Sequence, residues 1–391
     1  MPVFPRDKRE SVCAEITLKE MSNPVKTLLR LLGASALIML AAAALNFTVD
    51  PLQLLRPAQW FPAMYSPDSR MQDAGLIRSQ DFDAVLMGTS LAIHFRQSDI
   101  DRLLGVRSLK LAMTGSNSHE QSFVIAAALE RRPRRVIWEV DDWIFRDAPA
   151  VDADIYLPAD LYRRNASGIA GYLFSGAIAR ESLWMLARLI GPAAPLIARL
   201  PVDILSKFSI SRVDDINSLA PDLDVSGSYN AEKALAAYAG ITDPARSAYL
   251  GEGYAYDAMV RNFESDAVGL IAAHPEVEFD LYFPPYSILQ WVAMRDASPA
   301  TLKIVYDFSA YISRRLTSFS NVRLHDFRDV SEVTHDLANY GDVIHHSPAV
   351  DLMVLSWLAA GADVVDRSAP TASLDRLKAQ VEAYRTVAIA R

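Results

Sequence analysis

Asp83-Ala84-Val85-Leu86-Met87-Gly88-Thr89-Ser90-Leu91 is the stretch that decides the fold. Its four consecutive apolar residues are too few for a helix and predict a buried parallel strand. Gly88 allows a sharp turn, and Ser90 then falls where the strand gives way to a helix. A hydroxyl there lies beside free helix N–H groups, which can stabilise a developing negative charge. The alternative is that Thr89 or Ser90 only caps the helix.

The composition of the chain is that of a folded protein. Its 391 residues are 51% hydrophobic and 22% charged, and they suffice for one large domain with an insertion or for two domains. The formal net charge of −8, without a dense Lys/Arg stripe, argues against nucleic acid as a partner. The single cysteine, Cys13, excludes an internal disulfide and a Cys-based zinc site. We predict neither a metal site nor a cofactor.

Residues 31–49 are almost all apolar and predict a transmembrane helix. At 1.5 Å per residue they span roughly 28 Å, enough for the hydrocarbon core of a bilayer. Lys26 and Arg30 precede this segment, so the positive-inside rule places residues 1–30 in the cytoplasm and the remainder outside. The alternative is a cleaved signal peptide, since the alanines at 41–44 offer cleavage sites. A leader of about thirty residues is long for a signal peptide and favours an uncleaved anchor.

Alternating strand and helix patterns predict a flavodoxin-like, doubly wound parallel sheet of five strands within a domain at 81–362. The predicted strands are 83–87, 108–112, 135–140, 277–283 and 321–326. The predicted helices are 97–104, 120–131, 256–273, 299–319 and 348–360. Residues 50–80 are predicted to be an irregular lead-in, and 363–391 a C-terminal helical tail.

A helical insertion at 146–255 interrupts the alternation. Its apolar part, 169–200, contains four charged residues, so a second membrane span is not expected. The insertion fits a lid, or helices lying against the bilayer surface or a polymer. Ordinary helices packed on the core are the alternative.

The chemistry is expected at the carboxyl ends of the strands, where open parallel sheets bind ligands. Those ends carry Ser90, Gly115 with Asn117, Asp141–Trp143, Pro284–Tyr286, and a loop with Asp342 and His345. A serine together with an aspartate three residues before a histidine can form an acyl-transfer site. The histidine takes the serine proton, and the aspartate orients the imidazole. His346 is a rival base, and Asp342 as an Asx-turn residue is the alternative to a catalytic role.

The arrangement resembles the SGNH (GDSL-like) hydrolase superfamily. Gly88-Thr89-Ser90-Leu91 corresponds to its Gly-Asp-Ser-Leu block, with threonine in place of the aspartate, and Asp342-x-x-His345 corresponds to its last block. The resemblance implies Ser90 as nucleophile, His345 as base and Asp342 as the residue that orients His345.

The same resemblance implies an oxyanion hole formed by the N–H groups of Ser90 and Gly115. The family adds an asparagine after the third strand, but this chain has Glu139-Val-Asp-Asp-Trp143 there and no asparagine. Asn117, beside Gly115, is the expected substitute. The loss of one such donor typically costs about 3–4 kcal/mol.

A closer resemblance is to the membrane-anchored bacterial branch of the superfamily, the proteins similar to DltD and the alginate O-acetylation proteins. They place an anchor and a lead-in like Val49-Asp50-Pro51 before the serine block. Their third strand ends in an acidic-aromatic pair, like Asp142-Trp143, and their late loop reads Asp-x-x-His-x-Ser-Pro, like 342–348. The resemblance covers roughly 50–145 and 256–362.

This resemblance implies a membrane-anchored serine O-acyltransferase or esterase that acts on a cell-envelope or exported polysaccharide, with acetyl as the first expected group. It further implies a membrane-embedded, MBOAT-type acyl-donor partner. The chain would be a single-pass protein of the bacterial inner membrane, with its catalytic domain in the periplasm.

Asp142, Trp143 and Tyr286 are candidates for substrate contact, the two aromatic residues by stacking on sugar rings, although core packing is the commoner role of a tryptophan. Two other functions stay open. One is a non-catalytic polysaccharide assembly or binding subunit that keeps the fold. The other is a phosphate-binding flavodoxin-like module that uses the Gly88 turn and needs no Asp342–His345 loop.

Overall fold

The computed structural model describes residues 24–58, 69–147, 157–163, 165–190, 228–243 and 251–385. Most of the predicted cytoplasmic segment, with Cys13, lies outside the described residues. So do part of the predicted lead-in, much of the predicted insertion and the end of the C-terminal tail. Within the described residues the chain is an α/β protein with one five-stranded sheet.

The five strands agree with the predicted ones to within one residue at each end. They are β1 Ala84–Gly88, β2 Ser108–Ala112, β3 Arg135–Glu139, β4 Glu278–Phe283 and β5 Val322–Asp326. Every pairing is parallel, and the strand order is β2-β1-β3-β4-β5. This is the order of flavodoxin-like sheets, whose ligands bind beside the carboxyl ends of β1 and β3.

The described helices include all those predicted around the sheet. They are α1 Pro24–Val49, α2 Ser69–Ser79, α3 Gln97–Leu104, α4 Ser118–Leu129, α5 Ala159–Tyr162, α6 Ala166–Leu173, α7 Gly176–Ile190, α8 Ala231–Thr242, α9 Tyr256–Phe263, α10 Gly269–Ala273, α11 Ile288–Ala297, α12 Pro299–Leu316, α13 Ser331–Thr334, α14 Pro348–Ala360 and α15 Ala372–Ala383. A π-helical stretch, Glu264–Val268, joins α9 to α10, so that the single helix predicted at 256–273 is continuous but locally widened.

Helix α2 lies in the lead-in that was predicted to be irregular. Its buried side includes Arg70, Gln72 and Asp73, so the segment has no apolar stripe of helical period to indicate a helix. Gly75 allows α2 to pack closely against the backbone of the lead-in. Any other residue would place a β-carbon 1.8 Å from the Leu52 carbonyl oxygen. Because this segment is polar, its hydrophobic pattern did not predict the packed helix α2.

The chain forms two compact units. One combines Met1–Pro51 with Arg163–Arg199, and the other combines Leu52–Tyr162 with Leu200–Arg391. The predicted insertion is thus divided between them, and it does not form a single body. The sheet and every candidate site residue belong to the second unit.

The first unit contains an apolar helix long enough to cross a membrane. Its segment Val25–Val49 could be a single membrane span or a signal sequence, and most of its apolar side chains are exposed. Near its end, the Asn46 amide donates hydrogen bonds to the carbonyl oxygens of Leu173 at 2.9 Å and Ser175 at 3.1 Å. The Ser182 hydroxyl donates to Asn46 at 3.0 Å. These bonds fix the turn between α6 and α7 to the end of α1.

In the second unit, the end of β1 is packed so closely that only glycine fits. A β-carbon at Gly88 would lie 2.6 Å from the Ala92 β-carbon and 3.2 Å from the Glu139 β-carbon. The chain must therefore turn tightly over β3 directly before Ser90.

We predict that Gly88→Ala lowers the free energy of unfolding by about 2 kcal/mol, because the added methyl group overpacks this turn. Thermal and denaturant unfolding of the full chain in detergent would measure the change. Gly269→Ala is the control, since a β-carbon there meets no atom closer than 3.5 Å. Equal stability of the two variants would contradict the tight turn.

Candidate active site

Ser90 lies two residues after the end of β1 and begins a single 3₁₀ turn, Ser90–Ala92. The sequence predicted a change from strand to helix at this point, but the next α-helix, α3, begins only at Gln97. A turn of three residues is no helix N-terminus of the kind that binds anions. Thr89 is the residue before the turn, and its side chain does not cap the turn. The Ser90 hydroxyl therefore does not cap a helix.

The structure brings Ser90, His345 and Asp342 together across 255 residues of chain. The Ser90 Oγ lies 2.9 Å from His345 Nε2, and His345 Nδ1 lies 2.6 Å from Asp342 Oδ2. With the proton on Nδ1, the imidazole donates to the carboxylate and accepts from the serine hydroxyl. Both distances are those of good hydrogen bonds. The geometry is that of a serine nucleophile, a general base and a residue that orients the base.

Asp342 combines the turn role and the site role that the sequence left as alternatives. Its Oδ1 accepts hydrogen bonds from the N–H groups of Ile344 and His345, both at 2.7 Å, which makes an Asx turn. Its Oδ2 remains for the His345 ring. The same turn that shapes the loop therefore fixes the carboxylate against the imidazole.

The loop is also anchored to the sheet. The buried Tyr340 donates its hydroxyl proton to the carbonyl oxygen of Pro285, at the end of β4, at 2.7 Å. Gly341 N–H donates to the His345 carbonyl oxygen at 2.9 Å and closes the loop. These bonds place His345 above the carboxyl ends of the strands.

The two ionisable partners shift each other's pKa. Burial alone would raise the pKa of Asp342, but the hydrogen bond and charge of His345, with the two backbone N–H groups, bring it below its ordinary value. Burial alone would lower the pKa of His345, but the hydrogen bond and charge of Asp342 raise it above the ordinary value. The pair therefore favours an ionised aspartate beside a basic imidazole.

His346, the rival base, forms no hydrogen bond with Ser90 among the described residues. It is buried, and its Nδ1 lies 3.0 Å from Asp351 Oδ1 on α14. It does not line the cavity into which Ser90 opens. His345 is the histidine with the geometry of a base.

Gly115 lies in the turn after β2 and lines the same cavity as Ser90. Its φ of 62° is in the left-handed region, which favours glycine. Among the described residues, no hydrogen-bond acceptor is paired with its N–H. Met113 N–H, two residues earlier, donates to the Gly88 carbonyl oxygen at 2.9 Å and fixes this turn beside the Ser90 turn. The N–H of Gly115 is thus placed as a candidate oxyanion donor.

Asn117 is not brought to this cavity. Its side-chain oxygen accepts from Glu120 N–H at 3.0 Å, and the Glu120 carboxylate accepts from Asn117 N–H at 3.2 Å, a capping box at the start of α4. Asn117 instead lines a second cavity of about 460 Å³. The sequence contained the signal, since an Asn followed three residues later by Glu is typical of a helix N-cap.

The cavity around Ser90 has a volume of about 640 Å³. Asp142, Trp143 and Tyr286, the residues predicted to contact substrate, all line it. A largely apolar wall faces them and consists of Leu91, Ala237, Ile241, Met294, Val343 and Ile344. The cavity falls within the size range of ligand sites in proteins.

A pair of buried carboxyl groups forms part of the polar wall. Tyr286 donates its hydroxyl proton to Asp141 Oδ2, and Trp143 N–H donates to Asp141 Oδ1 at 3.2 Å. Burial raises the pKa of Asp142 well above its ordinary value, and the charge of Asp141 raises it further. Both effects favour the neutral form of Asp142 over its ionised form.

Sequence reasoning missed several residues at this site. Arg146 lines the cavity, and its guanidinium lies 4.7 Å from the Trp143 ring centroid and 5.3 Å from that of Tyr254. Glu139, at the end of β3, is buried and accepts hydrogen bonds from Thr89. An acidic residue directly after three apolar residues of a parallel strand was the available signal, because a buried carboxyl must be paired or protonated.

Comparison with known proteins adds no relative: no protein-family model matches the chain, and no curated protein matches it. In the described part of the chain, no group of three or more His, Cys, Asp or Glu side chains is arranged to hold a metal ion. The evidence for a function of this site is therefore its geometry.

We predict that kcat/KM for a small ester rises with pH as His345 loses its proton, with an apparent pKa above the ordinary histidine value of about 6.5. Asp342→Asn removes the carboxylate that raises this pKa, so the acid limb moves to lower pH. The same change lowers kcat by on the order of 10³-fold, because the imidazole loses its orienting partner. A pH profile of both proteins would measure the shift. If the acid limb of Asp342→Asn lies at the same pH as that of the wild type, Asp342 does not raise the pKa of His345.

Proposed function

We propose that this chain is a membrane-anchored serine acyltransferase or esterase of the SGNH type. The observation that carries the proposal is the chain of hydrogen bonds from Ser90 through His345 to Asp342, at 2.9 and 2.6 Å. Its support from the fold is the position of all three residues at the carboxyl ends of a parallel sheet, around the cavity that Gly115 also lines.

In the first half-reaction the Ser90 oxygen attacks the carbonyl carbon of an acyl donor, and its proton passes to His345 Nε2. The tetrahedral oxyanion accepts hydrogen bonds from the N–H groups of Ser90 and Gly115. The bond to the leaving group then breaks, and His345 returns the proton to that group. The product is an acyl ester on Ser90.

In the second half-reaction an acceptor hydroxyl, of a sugar or of water, gives its proton to His345 and attacks the acyl ester. The bond to Ser90 breaks, and the serine oxygen recovers the proton. Asp342 stays ionised throughout and stabilises the imidazolium form of His345. Transfer and hydrolysis differ only in which hydroxyl reaches the acyl group.

The proposed acceptor is a cell-envelope or exported polysaccharide, and acetyl is the group that the sequence resemblance suggests first. Trp143 beside Arg146, with Tyr286 and Asp142, offers ring faces and hydrogen-bond partners of the kind that sugars bind. In this proposal α1 is an uncleaved anchor in the bacterial inner membrane, with a cytoplasmic N-terminus and a periplasmic sheet domain. A membrane-embedded, MBOAT-type partner would supply the acyl group.

We predict that a fluorophosphonate labels Ser90 in the full chain and that Ser90→Ala and His345→Ala both abolish labelling, because the hydroxyl and its base are each required. Intact-mass and peptide mass spectrometry would locate the label. His346→Gln is the matched control and should still be labelled, since His346 does not line the cavity around Ser90. Labelling that survives in Ser90→Ala would overturn the assignment of the nucleophile.

The second candidate function is a non-catalytic polysaccharide assembly or binding subunit. Asn117 favours it, because this residue is engaged as a helix cap and the third oxyanion donor of the family has no counterpart at β3. Cells that express Ser90→Ala in place of the wild type separate the two functions. Unacylated polymer in normal amount is the result expected of the enzyme, whereas normal acylation would favour the subunit.

A further inference from the structure

The Glu139 carboxyl group lies beneath the turn that carries Ser90. It is fully buried at the end of β3. Its Oε1 accepts from the Thr89 hydroxyl at 2.9 Å and from the Thr89 N–H at 3.4 Å, and its Oε2 accepts from the Tyr282 hydroxyl of β4 at 3.3 Å. Both donors on Thr89 thus converge on one carboxyl oxygen.

Thr89 is the residue directly before Ser90, so its backbone determines where the Ser90 hydroxyl points. The turn has little freedom to move, because a β-carbon at Gly88 would lie 3.2 Å from Glu139 Oε2 and 2.6 Å from the Ala92 β-carbon. The hydrogen bonds between Thr89 and Glu139 therefore contribute to the position of Ser90 relative to His345. Displacements of about 1 Å in such sites cost on the order of 100-fold in rate.

Several titratable groups face this carboxyl from the elements packed against it. They are Asp141 on its own segment, Tyr282 on β4, Tyr286 after β4, and His345 and His346 on the loop after β5. Burial raises the pKa of Glu139 to about 7, and the charge of Asp141 adds to the rise, while the Thr89 hydrogen bonds and His346 oppose it. The carboxyl group consequently changes its charge in the same pH range as the base.

We propose that Glu139 is a positioning residue for the proposed acyl transfer: by binding both donors of Thr89, it holds the Ser90 hydroxyl in line with His345. This inference rests on the proposed function. Ionised Glu139 accepts more strongly than its neutral form. It also raises the pKa of His345, for which it acts as a third cause after burial and Asp342. Glu139 therefore acts on the nucleophile through Thr89 and on the base through its charge.

A purely structural role for the same carboxyl group makes a different prediction. A carboxyl that only fills space affects the stability of the fold, and its replacement leaves the pH dependence of the reaction unchanged. A positioning role changes kcat more than KM and changes the pH profile, even where the protein is as stable as before.

The experiment measures kcat and KM for a soluble ester from pH 5 to 9 with the full chain in detergent, for the wild type, Glu139→Gln, Thr89→Val and Thr89→Ser. Thr89→Val removes the hydroxyl donor and should lower kcat about tenfold or more with little change in KM. Thr89→Ser keeps the donor and should stay within about twofold. Tyr282→Phe is the matched control, since it removes the third donor without touching Thr89, and it should also stay within about twofold.

Glu139→Gln keeps an oxygen acceptor for Thr89 but cannot ionise. The wild-type profile should contain the ionisations of both Glu139 and His345, whereas that of Glu139→Gln should contain only the second, at lower pH. If Glu139→Gln and Thr89→Val both retain the wild-type kcat and pH profile, the positioning role of Glu139 is wrong. The proposed acyl transfer is not contradicted by that result.

Failure of the proposed function gives a different result. If fluorophosphonate does not label the wild type, the enzyme proposal fails and the positioning role fails with it, while the NMR titration of the His345 ring, which needs no turnover, still tests the coupling of Glu139 to His345. A His345 pKa that falls in Glu139→Gln supports the coupling of Glu139 to the base. An unchanged pKa overturns it.

Discussion

The site depends on one hydrogen bond, between the Ser90 hydroxyl and the His345 imidazole, whose partners are 255 residues apart in the chain. Such a bond persists only if both of its ends are fixed independently. The serine is fixed by the close packing of Gly88 at the end of β1, and the histidine by the Asx turn of Asp342 and the bond of Tyr340 to the end of β4. The parallel sheet supplies the common reference, because its strands deliver these elements to one edge.

A row of acidic side chains at the end of β3 gives the site its electrostatic character. Glu139 lies beneath the serine turn, and Asp141 and Asp142 line the cavity. Burial raises the pKa of each, so these carboxyl groups are not simply a block of negative charge. Glu139 accepts hydrogen bonds from Thr89 and Tyr282, and Asp141 accepts one from Tyr286. The site therefore combines the hydrogen-bonded Ser90, His345 and Asp342 with an acidic end of β3.

The sheet could be predicted from the sequence because each strand is a short apolar run bounded by turn residues. Helix α3 with Gly105 after its end, and α14 with Ser347 and Pro348 at its start, were predicted from their termini and are confirmed. Helices α2 and α11 were not predicted, because α2 buries polar side chains and α11 follows two prolines that indicated only a stop.

The site was predicted less completely. The proximity of Ser90, Asp342 and His345 could be predicted because Ser90 and the loop lie at the carboxyl ends of parallel strands and because Asp342 precedes His345 by three residues. The place of Asn117 and the role of Glu139 depend on hydrogen bonds to neighbours that no local pattern specifies. Hydrogen bonds between residues far apart in the chain are therefore the hardest feature of the site to predict from the sequence.

A double-mutant cycle tests most directly whether Ser90 and His345 act as one unit. The quantity is kcat/KM for a soluble ester in the wild type, Ser90→Ala, His345→Ala and the double variant. If the two residues share one hydrogen bond and one proton, the double variant should be no slower than the slower single variant. Losses that multiply, so that the double variant is slower by the product of the two single effects, would contradict the account.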